Sequence, residues 1–347
     1  MFASLKWLAR HQNPDGSWSV TGYTRQCRQA CEPAPGSPGF DPGVTGLSLL
    51  AFLGAGYSHL SRDTYDGLCF GDVVRRGLQW MISRQDAEGC VGPRDAEKHL
   101  YNHALCSLAL SEAYGLTGST LFRDQAQRAV DFLVAAQNPG RGWRYGAKAG
   151  DNDSSVTGWC VMALKSADNA GLVFPRQALD GARAWFHEAT DPGSARTGYT
   201  HAGTGKVYVP DLNESFDHHE TMTAISALTL VFLDRNRSDA RGIDLLLRDR
   251  PRCEGNAVDF YYWYCGTIAC FQFDGPKGPR WTQWERSLRP ALVANQNPAS
   301  AGCRRGSWEP VDRWSGEGGR VYGTAINALT LEIYYRYASA FGTDTRR

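Results

Sequence analysis

Apolar and polar positions fall along this chain in a phrase that recurs: an aromatic, an aliphatic, three further residues, a glutamine, then a glycine and often a tryptophan. It reads Trp7 and Leu8 to Gln12, Gly16 and Trp18; Trp80 and Met81 to Gln85 and Gly89; Phe132 and Leu133 to Gln137, Gly142 and Trp143. A degenerate copy runs from Leu292 to Gln296, Gly306 and Trp308. The paired apolar residues share one face of a helix and can be buried against a neighbour. Asn-Pro after Gln12, Gln137 and Gln296 ends that helix, because proline disfavours α backbone before it and lacks an amide hydrogen. The glutamine amide is expected to satisfy backbone groups orphaned at the helix end, with the indole stacked beside it.

Between these phrases lies a second kind of helix, more apolar and richer in Ala, Leu, Gly and Thr. The pattern predicts six, over 44–53, 101–114, 154–167, 221–233, 260–271 and 323–337, with partners beginning near Phe2, Asp72, Arg123, Pro175, Ser238 and Trp281. The fourth partner carries Trp185 and Phe186 with Thr190 in the glutamine place, and the fifth is worn to Leu246, Leu247 and Pro251. Six polar-faced helices alternating with six apolar ones predict an all-α (α/α)6 toroid, with an outer ring, an inner ring and a central cavity. A repeat of about 58 residues runs end to end, so 1–341 is expected to be one toroid domain and 342–347 a polar tail.

Composition narrows the partners. The net charge is +1 with no basic run, so nucleic acid and anionic membrane surfaces are not indicated. No apolar run reaches the length of a transmembrane segment. The first phrase starts almost at Met1 with no signal peptide before it, and further domains in a longer native protein are an open expectation. Ten cysteines show neither a CxxC pair nor the Cys/His spacing of structural zinc. Cys106, Cys160, Cys265 and Cys270 fall in apolar helices as small buried groups. Cys27, Cys31, Cys90 and Cys303 are candidates for disulfides in an oxidising compartment. No metal or cofactor is indicated.

The repeated phrase closely resembles the QW repeat of the squalene-hopene cyclase and protein prenyltransferase superfamily. Arg76, Gly77, Trp80, Met81 and Gln85 match its first part, and Gln12, Gly16 and Trp18 its second. The resemblance implies a toroid whose relatives cyclise triterpenes, transfer prenyl groups or carry a thioester. The Asp-x-Cys of zinc prenyltransferases, the Gly-Cys-Gly-Glu-Gln of thioester domains and the Asp-Asp-x-x-Asp of magnesium-dependent terpene synthases are all absent. The Asp-x-Asp-Asp signature of class II cyclases is matched at three of four positions by Asp151, Asn152, Asp153 and Ser154. That match implies Asp153 as general acid toward an alkene, with Asp151 beside it and Ser154 in place of an acidifying carboxylate. The alternative reading of Asp153 is an N-cap of the third inner helix, and the two roles are compatible.

Loop lengths point to where a site lies. Connections 13–43, 190–219 and 297–321 are long and all lead from an outer helix to the start of an inner one. The six inner N-termini therefore face a loop-bearing mouth, where dipoles and free amides favour an anion. Candidate ligand-binding residues there are Tyr101, His103, Trp159, His219, Glu220, Asp259, Tyr261, Tyr262, Trp263 and Tyr322, with His218 and Arg320 alongside. The run from Asp259 to Tyr264 supplies aromatic rings that suit an isoprenoid or a carbocation, although some must pack outward. Three readings stay open: an isoprenoid-binding, terpenoid-cyclase-like toroid; a noncatalytic toroid binding a ligand or protein at its mouth; and a carbohydrate-active toroid with two acids drawn from Asp153, Glu220 and Asp259.

Overall fold

In the computed structural model, residues 1–27, 31–203, 220–233 and 240–336 are described. Twelve α-helices form among them. The odd-numbered ones are α1 (Phe2–Arg10), α3 (Phe70–Ser83), α5 (Thr120–Ala135), α7 (Gln177–Ala189), α9 (Arg241–Arg248) and α11 (Pro279–Val293). The even-numbered ones are α2 (Asp41–Gly54), α4 (His99–Thr117), α6 (Ser154–Asn169), α8 (Thr221–Leu233), α10 (Phe260–Asp274) and α12 (Ser315–Arg336). Every even helix touches the next, and α12 returns to α2, so the six close into an inner ring. The odd helices flank it, each burying one stripe: α3 buries Phe70, Val73, Val74, Leu78, Trp80 and Met81. The inner helices are buried almost all round, as Phe260 to Gln272 of α10 are. The polar tail 342–347 lies outside the described residues.

Two features depart from the expected helices. Between α2 and α3 a small antiparallel hairpin pairs β1 (Thr64–Tyr65) with β2 (Leu68–Cys69) through Asp66 and Gly67, both at positive φ. Asp-Gly is the local signal for such a turn. The last inner helix starts earlier than expected, at Ser315, and is kinked at Gly319, where φ is +60°. A Cβ at Gly319 would lie 2.6 Å from the Gly36 nitrogen, so the kink is where the last long loop meets the first.

The repeated phrase acts differently from the cap expected of it. The tryptophan, not the glutamine, serves its own helix: Nε1 of Trp18, Trp143 and Trp308 donates to the carbonyls of Leu8, Leu133 and Leu292 at 2.8, 2.7 and 2.9 Å. The glutamine Nε2 instead ties its turn to the next outer helix. Gln12 donates to Gly16 O and Val73 O, Gln85 to Gly89 O and Gln125 O, and Gln137 to Arg141 O and Ala178 O, at 2.6 to 3.0 Å. Arg76 closes the first clamp by donating to Gln12 Oε1 at 2.7 Å. The clamps of Gln12, Gln85 and Gln137 therefore bridge successive repeats, satisfying backbone carbonyls on both sides.

Candidate functional site

A cavity of about 160 Å³ opens at the end of the toroid where the inner helices begin. The first turns of all six contribute: Gly43, Val44 and Leu47 from α2; Tyr101, Asn102 and Leu105 from α4; Ser155 and Trp159 from α6; Met222 from α8; Tyr261 from α10; Glu317, Gly318 and Tyr322 from α12. Phe40, Lys98, Tyr145, Tyr199, Arg313 and Trp314 come from the connections that roof it. Eight of these nineteen residues are aromatic, which makes ring faces the dominant surface a ligand would meet.

The rings are held in fixed relation. Trp159 stacks on Tyr261 with centroids 5.6 Å apart and planes 4° apart, and on Tyr264 at 5.8 Å and 15°. Trp314 meets Tyr261 edge-on at 6.0 Å and 87°. The polar tips are bonded to protein groups: Tyr145 OH to Tyr199 OH at 2.5 Å, Tyr261 OH to Ser155 Oγ at 3.1 Å, and Tyr322 OH to Asp312 Oδ2 at 3.3 Å. Asn102 spends its amide on the backbone, donating to Gly39 O and accepting from Gly43 N. At the rim, Lys98 Nζ pairs with Glu317 Oε1 at 3.1 Å. With hydroxyls turned to one another, the wall presents mainly quadrupolar ring faces.

Three buried carboxyls stand just behind this wall. Asp153 caps α6, accepting from Val156 N at 2.7 Å through Oδ1, while Oδ2 is buried with no partner at hydrogen-bond distance. Burial pushes its pKa up to about 7; the Val156 amide, Arg144 and the Tyr199 hydroxyl pull it back only partly. Asp259 caps α10 through Tyr262 N at 2.8 Å, and also accepts from Trp314 Nε1 and Thr221 Oγ1, each at 2.9 Å. Asp312 accepts from Phe260 N at 3.1 Å, from Ser315 and from Tyr322. Burial, then the nearby Asp259, raises the Asp312 pKa to about 7. Asp153 and Asp312 thus hold protons near neutrality; Asp312 is bonded to the wall residue Tyr322, and the hydroxyl of the wall residue Tyr199 acts on Asp153 without a direct hydrogen bond to its Oδ2.

The cavity gathers some of the residues expected there and leaves others out. Tyr101, Trp159, Tyr261 and Tyr322 line it. His103 does not: its ring is buried away from the wall, with Nδ1 accepting from Val91 N at 3.1 Å and Nε2 bonded to Ala129 O at 2.9 Å. Burial lowers its pKa to about 4. Glu220 is paired with Arg196 and accepts from Thr223 Oγ1 at 2.8 Å, so it neither caps its helix through an amide nor reaches the cavity. Tyr262 points outward, donating to Leu246 O and Asp249 O, and Trp263 is core packed on Phe260. Asp151 is exposed and salt-bridged to Arg144. His218 and His219 lie outside the described residues. Tyr145, Tyr199, Arg313, Trp314, Glu317 and Asp312 come from connections or the kinked start of α12, where periodicity gives no side-chain direction; the long-loop signal pointed to all of them but Tyr145.

No known protein-family profile matches the sequence, and no curated protein does. Solved structures do match in shape. Cellobiose 2-epimerase from Spirochaeta thermophila DSM 6192 superposes with a TM-score of 0.65 at 14% identity, over 98% of this chain and 95% of that one. An α-1,6-mannanase from Salegentibacter sp. HEL1_6 gives 0.62 at 10%, over 95% and 98%. An α-amylase from Clostridium perfringens gives 0.60 at 10%, over 96% of each. What is shared is the (α/α)6 toroid. At such identities the likeness extends to fold and not to activity.

Proposed function

We propose that residues 1–341 act as one toroid that binds a small hydrophobic ligand, isoprenoid in class, in the aromatic cavity at the mouth of the inner ring. The observation that supports this reading is the wall itself: stacked Trp159 and Tyr261, edge-on Trp314, and hydroxyls already bonded among themselves. Such a surface rewards apolar area and delocalised positive charge, and offers few free donors or acceptors. The volume sets the size. About 160 Å³ is close to the ~150 Å³ apolar cavity that takes up benzene, so one or two isoprene units fit and a whole triterpene does not.

Within this reading Asp153 is the acid of a proton-initiated reaction. Its carboxyl holds a proton near neutrality, and Tyr199, a wall residue whose hydroxyl acts on Asp153, is the proposed relay once it turns to the free Oδ2. Ser154, in the place where class II cyclases carry another carboxylate, donates to Gly198 O at 2.7 Å, so no acidifying partner stands there and Asp153 would be a weak acid, suited to a reactive alkene.

A second reading, a sugar-processing toroid, rests on the Lys98 and Glu317 ion pair and on Arg313 at the rim. An inactive variant of the Salegentibacter mannanase has been captured with α-1,6-mannotriose. Glycoside hydrolysis needs two carboxyls about 5–10 Å apart facing the substrate; among the described residues Glu317 is the one carboxylate on the wall. The hydrophobic reading is therefore preferred. Thermal melting and tryptophan fluorescence with geraniol, farnesol, squalene, cellobiose and mannotriose separate the two. Stabilisation by geraniol and quenching of Trp159 are expected; a response to the saccharides with none to the isoprenoids would overturn the proposal.

A further inference from the structure

Away from the cavity, at the seam where the last repeat meets the first, side chains from distant parts of the chain converge. His11 follows α1, Cys27 ends a 3-10 turn (Tyr23–Gln26), and Cys303 lies in another (Ala299–Arg304). Cys27 Sγ and Cys303 Sγ are 3.0 Å apart, and His11 Nε2 is 3.3 Å from each. Cys31 is half-buried on the same loop as Cys27; its Sγ is 3.8 Å from Glu32 O, beside but not within the compact triangle of His11, Cys27 and Cys303. We propose that His11, Cys27 and Cys303 form the core of a structural zinc site, with Cys31 turning in as the fourth ligand, that staples the first long loop to the last and closes the ring.

The imidazole is oriented for the task. His11 Nδ1 lies 2.7 Å from Trp7 O and can only donate there, which leaves the Nε2 lone pair directed at the two sulfurs. The ring also stacks on Trp7 with centroids 4.0 Å apart and planes 21° apart. A metal-bound histidine almost always has its second nitrogen tied to a carbonyl or carboxylate in this way. A tetrahedral zinc with sulfur bonds of about 2.3 Å and a nitrogen bond of about 2.0 Å sets its ligand atoms about 3.5–3.8 Å apart. The observed triangle needs only a slight expansion to accept one. Cys27 and Cys31 supply one C-x(2–4)-C pair, but His11 and Cys303 form no second such pair in sequence to complete a zinc motif.

Charge and access agree. Arg10 interacts with Cys303, and Arg10 and Arg320 both act on His11, so the net negative charge of a zinc tris-thiolate has counterions beside it. A surface cavity of about 530 Å³ lined by His11, Gln26, Cys27 and Cys303 gives the ion a way in. The sequence offers Cys27, Cys31, Cys90 and Cys303 as disulfide candidates without a pairing; a Cys27 to Cys303 disulfide, which their 3.0 Å approach would allow, would use neither the histidine lone pair nor Cys31. The site was not legible as a zinc motif because Cys303 is 276 residues from Cys27 in sequence; only closure of the toroid brings them together.

The full chain, purified anaerobically under reducing conditions and loaded with zinc, tests this. About one zinc per chain is expected by plasma mass spectrometry, with cobalt substitution giving the intense visible bands of a tetrahedral thiolate site. Cys303→Ser and His11→Ala should bind zinc at least tenfold more weakly, while Cys253→Ser, at an exposed cysteine, should not. Should those variants misfold, the native chain still decides: a chelator should lower its melting temperature, and zinc but not magnesium should restore it. A native chain without zinc or cobalt bands, a Cys27 to Cys303 disulfide in the reduced preparation, or equal zinc affinity in Cys303→Ser and Cys253→Ser would overturn the proposal.

Discussion

Gln12 donates from Nε2 to the carbonyl of Val73, 2.9 Å away in the next outer helix, while the same nitrogen holds Gly16 O. One side chain therefore fixes both the turn that leaves its own helix and the spacing to its neighbour. Replacing it with leucine strands two buried carbonyls and removes the acceptor of Arg76. Gln12→Leu is expected to cost on the order of 2–4 kcal/mol. Gln296, which donates only to Gly306 O among the described residues, should cost clearly less on the same change. Urea unfolding of the two variants measures the difference, and equal losses would mean that bridging to the neighbour contributes nothing.

The glycines of the clamp turns are constrained by space as well as by φ. Gly89 has φ +100°, and a Cβ there would sit 2.1 Å from Arg128 O. Gly118 also lies at positive φ, +60°, with nothing within 4 Å of such a Cβ. Gly118→Ala should lose about 1–2 kcal/mol, the cost of left-handed backbone alone. Gly89→Ala should lose about 3–5 kcal/mol, since the backbone of the next helix must also move. Thermal denaturation of both variants tests the ranking.

Asp153 makes stability depend on pH in a direction opposite to most carboxylates. Its folded pKa of about 7 lies above the ordinary value of 3.8, so the folded chain holds the proton more tightly than the unfolded one. The stability this contributes is complete below about pH 4 and is lost as pH rises through about 7. Asp312, also raised to about 7, acts in the same sense. Asp153→Asn keeps the Oδ1 acceptor for Val156 N and cannot ionise. Relative to the native chain the variant should gain on the order of 2–4 kcal/mol between pH 5 and pH 8. Urea titrations at the two pH values that give the same difference would show that Asp153 does not titrate in this window.

Local signals carried most of the fold. The start of α8 at Thr221 was readable because its apolar residues recur between small Thr, Ala and Ser, and Asp153 was readable as a cap because a cap bonds an amide three positions on. The same pattern misjudged the clamp, since the partner of Gln12 lies 61 residues away. The cavity was half legible. Tyr101, Trp159, Tyr261 and Tyr322 sit at helix starts whose direction the ring dictates, whereas Tyr145, Tyr199 and Trp314 ride on connections whose course depends on what they pack against. His103 and Glu220 also lie at inner helix starts, but they face the outer helices and loops, where backbone amides, hydroxyls and Arg196 occupy them.

The proposed division of labour in the cavity separates binding from chemistry, and two substitutions address it. Trp159 offers a ring face held parallel to Tyr261 at 5.6 Å, and Trp159→Leu removes that platform while keeping an apolar side chain. The thermal shift produced by geraniol should vanish, at a stability cost of about 1–3 kcal/mol in the free protein. Tyr199→Phe keeps the ring and deletes the hydroxyl that meets Tyr145 at 2.5 Å and is the proposed relay to Asp153. Geraniol binding should survive this change, because an apolar ligand has no use for the hydroxyl. Any acid-initiated turnover should fall about 10²–10⁴-fold, the range for loss of a positioned proton donor, and Asp153→Asn should give a loss of the same size. If Tyr199→Phe keeps full turnover while Asp153→Asn abolishes it, the proton reaches the cavity by another route, and if both keep it, Asp153 serves only as the cap of α6.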